Sequence, residues 1–238
     1  MRNNEKPAAV PQRMLKRFFA VFALLVTSST LLADSKAGGT SLEKVLKEIS
    51  ARQKKVSTLE ADFVQEKELA LLAKPEISSG TFLYSKPNNV LWTYTQPKPV
   101  TMLIAKGMMT TYYPQLQKAE KVEVKRFEAQ IFKYMGAASG AIDELGKYFD
   151  FRFVENRKEP VYTLELTPKT KTVAKRVKRI KIWIDRTSFL TTRFEYVEGD
   201  GDLTRYTFKN LKVNQPIQAS RFTLSLPAAV KVETMKVN

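Results

Sequence analysis

The sequence predicts an α+β fold in which one curved antiparallel β-sheet is covered by helices. Three observations lead to this prediction: a helical hydrophobic stripe near residue 45, two-residue alternation after residue 80, and a glycine-broken helical stretch at 127–149. Short strands at steady spacing, with Gly, Pro and Asn between them, are typical of an antiparallel meander. The chain has 238 residues, which suits a single domain with a substantial core.

The first 33 residues have the pattern of a secretory signal peptide. Basic residues precede the apolar run Phe18–Val26, and small residues follow it through Ala33. An uncleaved anchor is the alternative, but the run has nine residues and a spanning helix needs about 18. We expect cleavage after Ala33, or as late as residue 37. Residues 34–39 would then be a flexible leader and 40–238 a single exported domain.

The elements of the mature chain follow in order. A helix is predicted over 41–58, where Thr40 and Glu43 form a capping-box pattern. Strands are predicted wherever period-two alternation or a short apolar run ends at turn residues. These segments are 82–84, 90–94, 102–105, 110–113, 122–124, 151–154, 161–166, 180–184, 191–197, 203–208 and 222–226. Residues 199–202 (GDGD) are predicted as a hairpin loop.

The segment 127–149 interrupts the strand pattern with helical spacing. Gly136 and Gly140 would weaken this helix and make a mobile junction. The side chains of Ile142, Leu145 and Phe149 share one helical face. We expect this segment to cross over the sheet.

The composition excludes most catalytic chemistry. The chain has no cysteine and no histidine, which removes Cys–His dyads, the Ser-His-Asp triad and nearly all zinc, copper and haem sites. The acidic residues at 198–202 lack the ligand spacing of a calcium loop and fit turn chemistry better. Asp143 and Glu144 are adjacent, so on a helix they cannot face each other as acid and base. We therefore predict no enzyme activity, no cofactor and no metal.

The net charge of +16 favours anionic partners. Its densest run lies at 169–181 and is interpreted either as a solvated hairpin arm or as a docking patch for an acidic partner or anionic lipid. The candidate docking residues are Lys175, Arg176, Lys178, Arg179 and Lys181. Nucleic acid is not expected as a partner, because Trp183 is the one aromatic residue near the run and export argues against access.

The aromatic alternation at 82–94 has two interpretations. Its residues are either ordinary core or the wall of an apolar cavity that incompletely covering helices leave open. Aromatic and methionine walls adapt to irregular shapes and would suit flexible hydrocarbon.

Five sequence blocks occur in the order of a known family. They are Ser57–Gln65 with its F-x-Q ending, Gly80–Pro97 with its Lys-Pro-Asn and W-x-x-x-Q-P blocks, Lys106–Gly107 with Tyr112–Tyr113, Leu164–Lys169, and Arg221–Val232. Together they resemble the LolA family, the periplasmic outer-membrane lipoprotein carriers.

The resemblance implies an incomplete, half-open antiparallel β-barrel of about eleven strands, with helices forming a lid over an apolar cavity. It implies a carrier that accepts acylated lipoproteins from an inner-membrane ABC transporter and delivers them to an outer-membrane lipoprotein receptor. That receptor is itself a lipoprotein, so the lack of cysteine favours the carrier role, and we expect a monomer. The alternatives are carriage of a glycolipid or aryl lipid, and an envelope-stress lipoprotein sensor.

Candidate site residues follow from the aromatic pattern and the resemblance. The acyl-chain cavity residues are Phe63, Phe82, Tyr84, Val90, Trp92, Tyr94, Met102 and Ile104. The lid residues are Phe132, Met135, Ile142, Leu145 and Phe149, and Lys86 is the expected lid contact. The sequence departs from the family at Lys86, where an arginine is common, and at Val90, where a larger aromatic residue is expected. Lysine lacks the bidentate fork of arginine.

Overall fold

The computed structural model describes residues 42–69, 74–123, 141–154 and 159–235. Its helices are α1 (Leu42–Gln53), α2 (Ala141–Leu145) and α3 (Lys171–Ala174), and two short 3-10 helices lie at Pro114–Leu116 and Ala219–Phe222. The strands are β1 (Thr58–Glu68), β2 (Glu76–Ser85), β3 (Asn89–Gln96), β4 (Val100–Ala105), β5 (Met108–Tyr113), β6 (Lys118–Glu123), β7 (Phe149–Val154), β8 (Val161–Pro168), β9 (Val177–Asp185), β10 (Thr191–Glu198), β11 (Leu203–Val213) and β12 (Lys231–Met235).

All twelve strands form one sheet in the order β12-β6-β5-β4-β3-β2-β1-β11-β10-β9-β8-β7. Neighbouring strands are antiparallel except β12 and β6, which run parallel. The end strands β7 and β12 do not pair with each other, so the sheet is not closed. The prediction of a half-open antiparallel barrel with helices is confirmed, and the described residues contain twelve strands where about eleven were expected.

The two faces of the sheet have different partners. The inner face carries the main apolar core, against which α1 packs Val45 and Ile49 and α2 packs Ile142. A smaller core lies on the outer face, where Phe222 packs with Leu83 and Leu103. The chain after β11 thus crosses the outside of the sheet before it returns as β12.

Several element boundaries differ from the prediction. The first helix ends at Gln53 rather than at residue 58, and β1 was not predicted at all. The strand predicted at 222–226 is wrong, because the last strand begins at Lys231. Phe222 is instead the final residue of a 3-10 helix, and its side chain is buried on the outer face of the sheet. The basic run contains the short helix α3 before β9, where Thr170 caps the Val173 amide. The hairpin predicted at 199–202 is confirmed by the hydrogen bond from the Glu198 amide to the Asp202 carbonyl, 2.8 Å.

A row of alternating charges crosses the outer face of six strands. The residues stand directly opposite one another in the order Glu66, Arg205, Glu195, Lys181, Glu165 and Arg152. Glu195, which is 5% exposed, lies 2.8 Å from Arg205. Arg152 is hydrogen-bonded to Glu165. Opposite charges at facing positions stabilise neighbouring strands, so this row helps to fix the register of that half of the sheet.

Candidate functional site

The centre of the inner face is a cluster of aromatic rings around Trp92. The ring centroids of Phe82, Phe63 and Tyr206 lie 4.7, 4.8 and 5.3 Å from that of Trp92. The Trp92 side chain is 1% exposed. These distances are within the range of favourable aromatic contact. In this conformation the space beside Trp92 is therefore occupied by neighbouring rings.

The eight predicted cavity residues all belong to this core. Six are buried, and Tyr94 and Met102 are partly buried and pack against them. They come from β1, β2, β3 and β4, because alternate residues of neighbouring strands share one face. The list is Phe63, Phe82, Tyr84, Val90, Trp92, Tyr94, Met102 and Ile104. The structure brings these residues together, and their contact with an acyl chain stays a prediction.

Sequence reasoning missed the contribution of β11 and of Gln65. Gln65 donates a hydrogen bond to the Tyr206 hydroxyl at 2.8 Å, and the Tyr94 hydroxyl lies 3.5 Å from that of Tyr206. Burial raises the pKa of Tyr94 to about 12, so its phenol is neutral at ordinary pH. Phe208 also faces the cluster, 6.2 Å from Trp92. The alternation of Tyr206 and Phe208 in a predicted strand was the available signal.

A glycine makes the close packing of the aromatic rings possible. Gly80 stands opposite Phe63 on β1 and Tyr94 on β3. A Cβ atom at Gly80 would lie 1.9 Å from the Thr93 carbonyl oxygen, which is impossible without separating the strands. With no side chain there, the Phe63 and Tyr94 rings approach to 4.9 Å. The backbone approach thus requires glycine at this position.

The predicted lid residues fall partly within the described ranges. Ile142, Leu145 and Phe149 are buried in the same core as Trp92. Phe132 and Met135 lie outside the described residues, as do Gly136 and Gly140.

Polar contacts join α2 to α1 and α1 to the sheet. The Asp143 carboxylate accepts a hydrogen bond from the Ser50 hydroxyl at 2.8 Å and lies 2.6 Å from the Lys54 ammonium. The Lys54 contact and the Ser50 hydrogen bond lower the pKa of Asp143. The Lys86 ammonium donates to the Lys54 carbonyl at 2.6 Å, just beyond the end of α1. We call Ser50, Lys54, Lys86 and Asp143 the helix latch. Lysine in place of arginine therefore still reaches a helix that covers the sheet.

The predicted docking residues divide into two groups. Arg179 and Lys181 lie 3.6 and 3.7 Å from Glu195 and Glu165 on the outer face, so much of their charge is compensated. Lys175 and Lys178 are exposed, and Arg176 is half-exposed. The accessible positive surface is therefore smaller than the sequence suggested.

Other candidate features lie elsewhere. A cleft of about 350 Å³ lies at the bulge of β1, and none of its lining residues belongs to the aromatic cluster. It is lined by Glu60, Ala61, Asp62, Asn210, Leu211 and Lys212. No group of three acidic side chains in the described ranges is arranged to hold a metal ion. The helices of the described chain also include none with the length and apolarity needed to cross a membrane.

Sequence comparison links this arrangement to known proteins. The family model described as outer membrane lipoprotein carrier protein LolA matches residues 54–225. An outer-membrane lipoprotein carrier protein of Cupriavidus taiwanensis is 29% identical over 155 residues, which are 65% of this chain and 70% of that protein. One from Ralstonia nicotianae is 25% identical over 227 residues, 92% of this chain and 98% of that protein.

Comparison with solved structures supports the fold. An uncharacterized conserved protein from Thermus thermophilus aligns with a TM-score of 0.53 at 9% identity, covering 82% of this chain and all of that one. MucB aligns with a TM-score of 0.50 at 14% identity, covering 82% of this chain and 66% of MucB. At these identities the likeness describes the architecture alone.

Proposed function

The chain belongs to the LolA family of outer membrane lipoprotein carrier proteins, and from that premise we propose that it carries acylated lipoproteins through the periplasm. It would accept them from an inner-membrane ABC transporter and deliver them to an outer-membrane lipoprotein receptor. The acyl chains would lie between the inner face of the sheet and the covering helices. We propose that it acts as a monomer, without enzyme activity, and that the domain starts near residue 40.

The observation that carries the proposal is the aromatic cluster that lies beneath α1 and α2. Rings from β1, β2, β3 and β11 form one apolar surface around Trp92. The polar contacts between α1 and α2 are a small set with half-exposed charges. We propose that this helix pair moves away from the sheet on loading, and that the acyl chains then replace the burial of Val45, Ile49 and Ile142 against the core. The apolar surface would then be exposed to a ligand.

The energetics suit a carrier that must also release its cargo. Each CH₂ group of an acyl chain gains about 0.8 kcal/mol on burial, so an unaided lipoprotein would not leave a membrane at a useful rate. The interior must replace most of that burial. Because the rings pack against one another, loading would break ring contacts worth about 0.5–1.5 kcal/mol each. The acyl chains would therefore bind more weakly than their buried apolar area alone implies. This weaker binding would allow the carrier to pass its cargo to the next protein.

The remaining exposed cations are a proposed docking surface. Lys175 and Arg176 follow α3 and Lys178 lies at the start of β9, and we propose that these three residues contact an acidic partner. Arg179 and Lys181 are not part of this proposed surface, because their charges are paired with those of Glu195 and Glu165.

The test of the proposed function is extraction of a palmitoylated lipopeptide from phospholipid vesicles. Wild-type protein should move the lipopeptide into the soluble fraction. Met102→Lys, on the inner face of β4, should abolish extraction because it places a charge among the acyl-facing residues. Thr101→Lys, the neighbour whose side chain points to the other face, is the matched control and should extract normally.

Equal extraction by both variants would contradict an inner-face binding site, and no extraction by the wild type would contradict the carrier function. Mass spectrometry of lipids that co-purify from the periplasm then identifies the cargo. A glycolipid or aryl lipid there, in place of lipoprotein, would establish the alternative carrier role.

A further inference from the structure

Some buried polar atoms of the inner face have no hydrogen-bond partner. In the described ranges, seven buried side-chain nitrogen or oxygen atoms have no hydrogen-bond partner. Three of them, Trp92 Nε1, Thr111 Oγ1 and Glu120 Oε2, belong to one row of the sheet. An unpaired buried polar group is costly, so three in one row need an explanation.

The strand register places these three side chains on the face that carries the aromatic cluster. Trp92 stands opposite Met102, Met102 opposite Thr111, and Thr111 opposite Glu120. Two residues away along the same strands, Met109 and Val122 are buried in the main core. Since side chains alternate between faces, Thr111 and Glu120 face inward as well. They are 5% and 7% exposed.

The Glu120 carboxylate is half satisfied. Its Oε1 lies 2.8 Å from the Lys118 ammonium, which also lies 2.9 Å from Glu233. Its Oε2 is buried and has no hydrogen-bond partner. The Thr111 hydroxyl can donate or accept, and the Trp92 indole can only donate. Adjacent strands are about 4.8 Å apart, so one small group can contact Thr111 and Glu120 together.

We propose that Thr111 and Glu120 form an amide subsite, which binds the N-acyl amide at the head of an acyl chain. The amide N–H would donate to Glu120 Oε2, and the amide carbonyl would accept from the Thr111 hydroxyl. The Glu120 charge disfavours a fatty-acid carboxylate or a phosphate at this position. The inference rests on the proposed function, because it assumes that acyl chains enter the inner face, and it adds that the head is recognised by its N–H group.

The test compares two ligands that share one acyl chain. N-Palmitoyl-cysteinyl-serine amide carries the amide N–H, whereas methyl palmitate has a carbonyl and no N–H. Affinities are measured by displacement of a fluorescent fatty-acyl probe from the full exported chain. The variants are Thr111→Val and Glu120→Met. Their controls, Thr110→Val and Glu123→Met, make the same changes on the other face of the same strands.

We expect Glu120→Met to weaken the palmitoyl-peptide about tenfold or more, because a hydrogen bond to a charged acceptor is lost. Thr111→Val should weaken it by about three- to tenfold. Methyl palmitate should bind both variants within about twofold of the wild type, and the controls should bind both ligands normally. Thr111→Val should also raise the melting temperature of the empty protein by about 2–4 °C, because an unpaired buried hydroxyl is removed.

An unchanged affinity of both variants for the palmitoyl-peptide overturns the subsite. An equal loss for both ligands also overturns it, since that indicates a general disturbance of the interior. If the wild type binds methyl palmitate but not the palmitoyl-peptide, the amide is excluded rather than recognised. If the wild type binds neither ligand, the proposed function fails, and the subsite fails with it.

Discussion

The helix latch gives the sharpest prediction about opening. Asp143 holds α2 to α1 through Ser50 and Lys54, and Lys86 holds the end of α1 to the sheet. Asp143→Ala removes both polar contacts between the helices and leaves the apolar side chains of Ile142 and Leu145 unchanged. We expect this variant to open more readily than the wild type and to bind a palmitoylated peptide more tightly.

The magnitude follows from the exposure of the partners. The Lys54 and Asp143 side chains are 60% and 47% exposed, so their ion pair contributes about 0.5 kcal/mol. Ser50 is 7% exposed, and its hydrogen bond to a charged acceptor contributes about 1.5 kcal/mol. Loss of about 2 kcal/mol shifts the open-to-closed ratio about 30-fold. If binding requires the open form, the apparent affinity rises by up to that factor.

The assay is titration with the palmitoylated peptide, with Glu48→Gln as the matched control. Glu48 pairs with Arg52 at 2.6 Å within α1, so its loss removes an ion pair that joins no two elements. The control should bind as the wild type does. A folded Asp143→Ala protein that binds no more tightly than the wild type would refute the idea that the latch opposes opening.

The pH dependence of the latch has a definite sign. The pKa of Asp143 is lowered from 3.8 by its hydrogen bond with Lys54, opposed by desolvation and assisted by Ser50. A group with a lowered pKa stabilises the closed form above its ordinary pKa, and this contribution is lost as the pH falls through the lowered value. Wild-type affinity should therefore rise below about pH 4 relative to that of Asp143→Ala, whose latch is already absent.

Three further predictions concern stability. Gly80→Ala should lower the melting temperature strongly, because its Cβ atom would overlap the Thr93 carbonyl oxygen, and a change under about 2 °C in calorimetry would contradict that explanation. Glu195→Gln should cost about 2–4 kcal/mol in urea unfolding, since it removes a buried carboxylate from between Arg205 and Arg179. Phe222→Ala should cost about 3 kcal/mol and leave acyl binding intact, because its core lies on the outer face; weakened binding by a folded protein would contradict that separation.

The sequence was informative where the periodicity was clean. The alternation of Trp92 and Tyr94 correctly predicted a strand and a shared face, and the apolar stripe of α1 correctly predicted a helix. The strand β1 was not predicted because it begins directly after a helix, and the predicted helix extended to its first residue. Its apolar residues also alternate with charged residues. Its signal was present in Leu59, Ala61 and Phe63, whose spacing is two.

Other features depend on contacts that no local pattern reveals. Phe222 lies in a segment with strand-like alternation, but its side chain is buried on the outside of the sheet by residues more than a hundred positions away. The row of alternating charges likewise depends on which strands are neighbours in the sheet. The sequence alone therefore could not show which cations of the run at 169–181 form ion pairs with acidic residues and which are exposed. The importance of Thr111 and Glu120 was also hidden, because it arises from register and burial together.

The packed aromatic interior and the proposed amide subsite would solve complementary parts of the proposed carrier function. An empty cavity lined by Trp92 and its neighbours would favour any hydrocarbon, since burial of apolar surface is not directional. Rings that close on one another reduce that general gain, and unpaired atoms at Thr111 and Glu120 penalise the empty state at one defined position. A ligand with both an acyl chain and a suitably placed amide would relieve that penalty, whereas a plain hydrocarbon would not. Selectivity for the amide would then come from the polar row, and easy release of the cargo would come from the aromatic rings. Variants of Thr111 or Glu120 should therefore change the ratio of affinities for amide and non-amide ligands. Variants of the aromatic rings should instead change the affinity for every ligand.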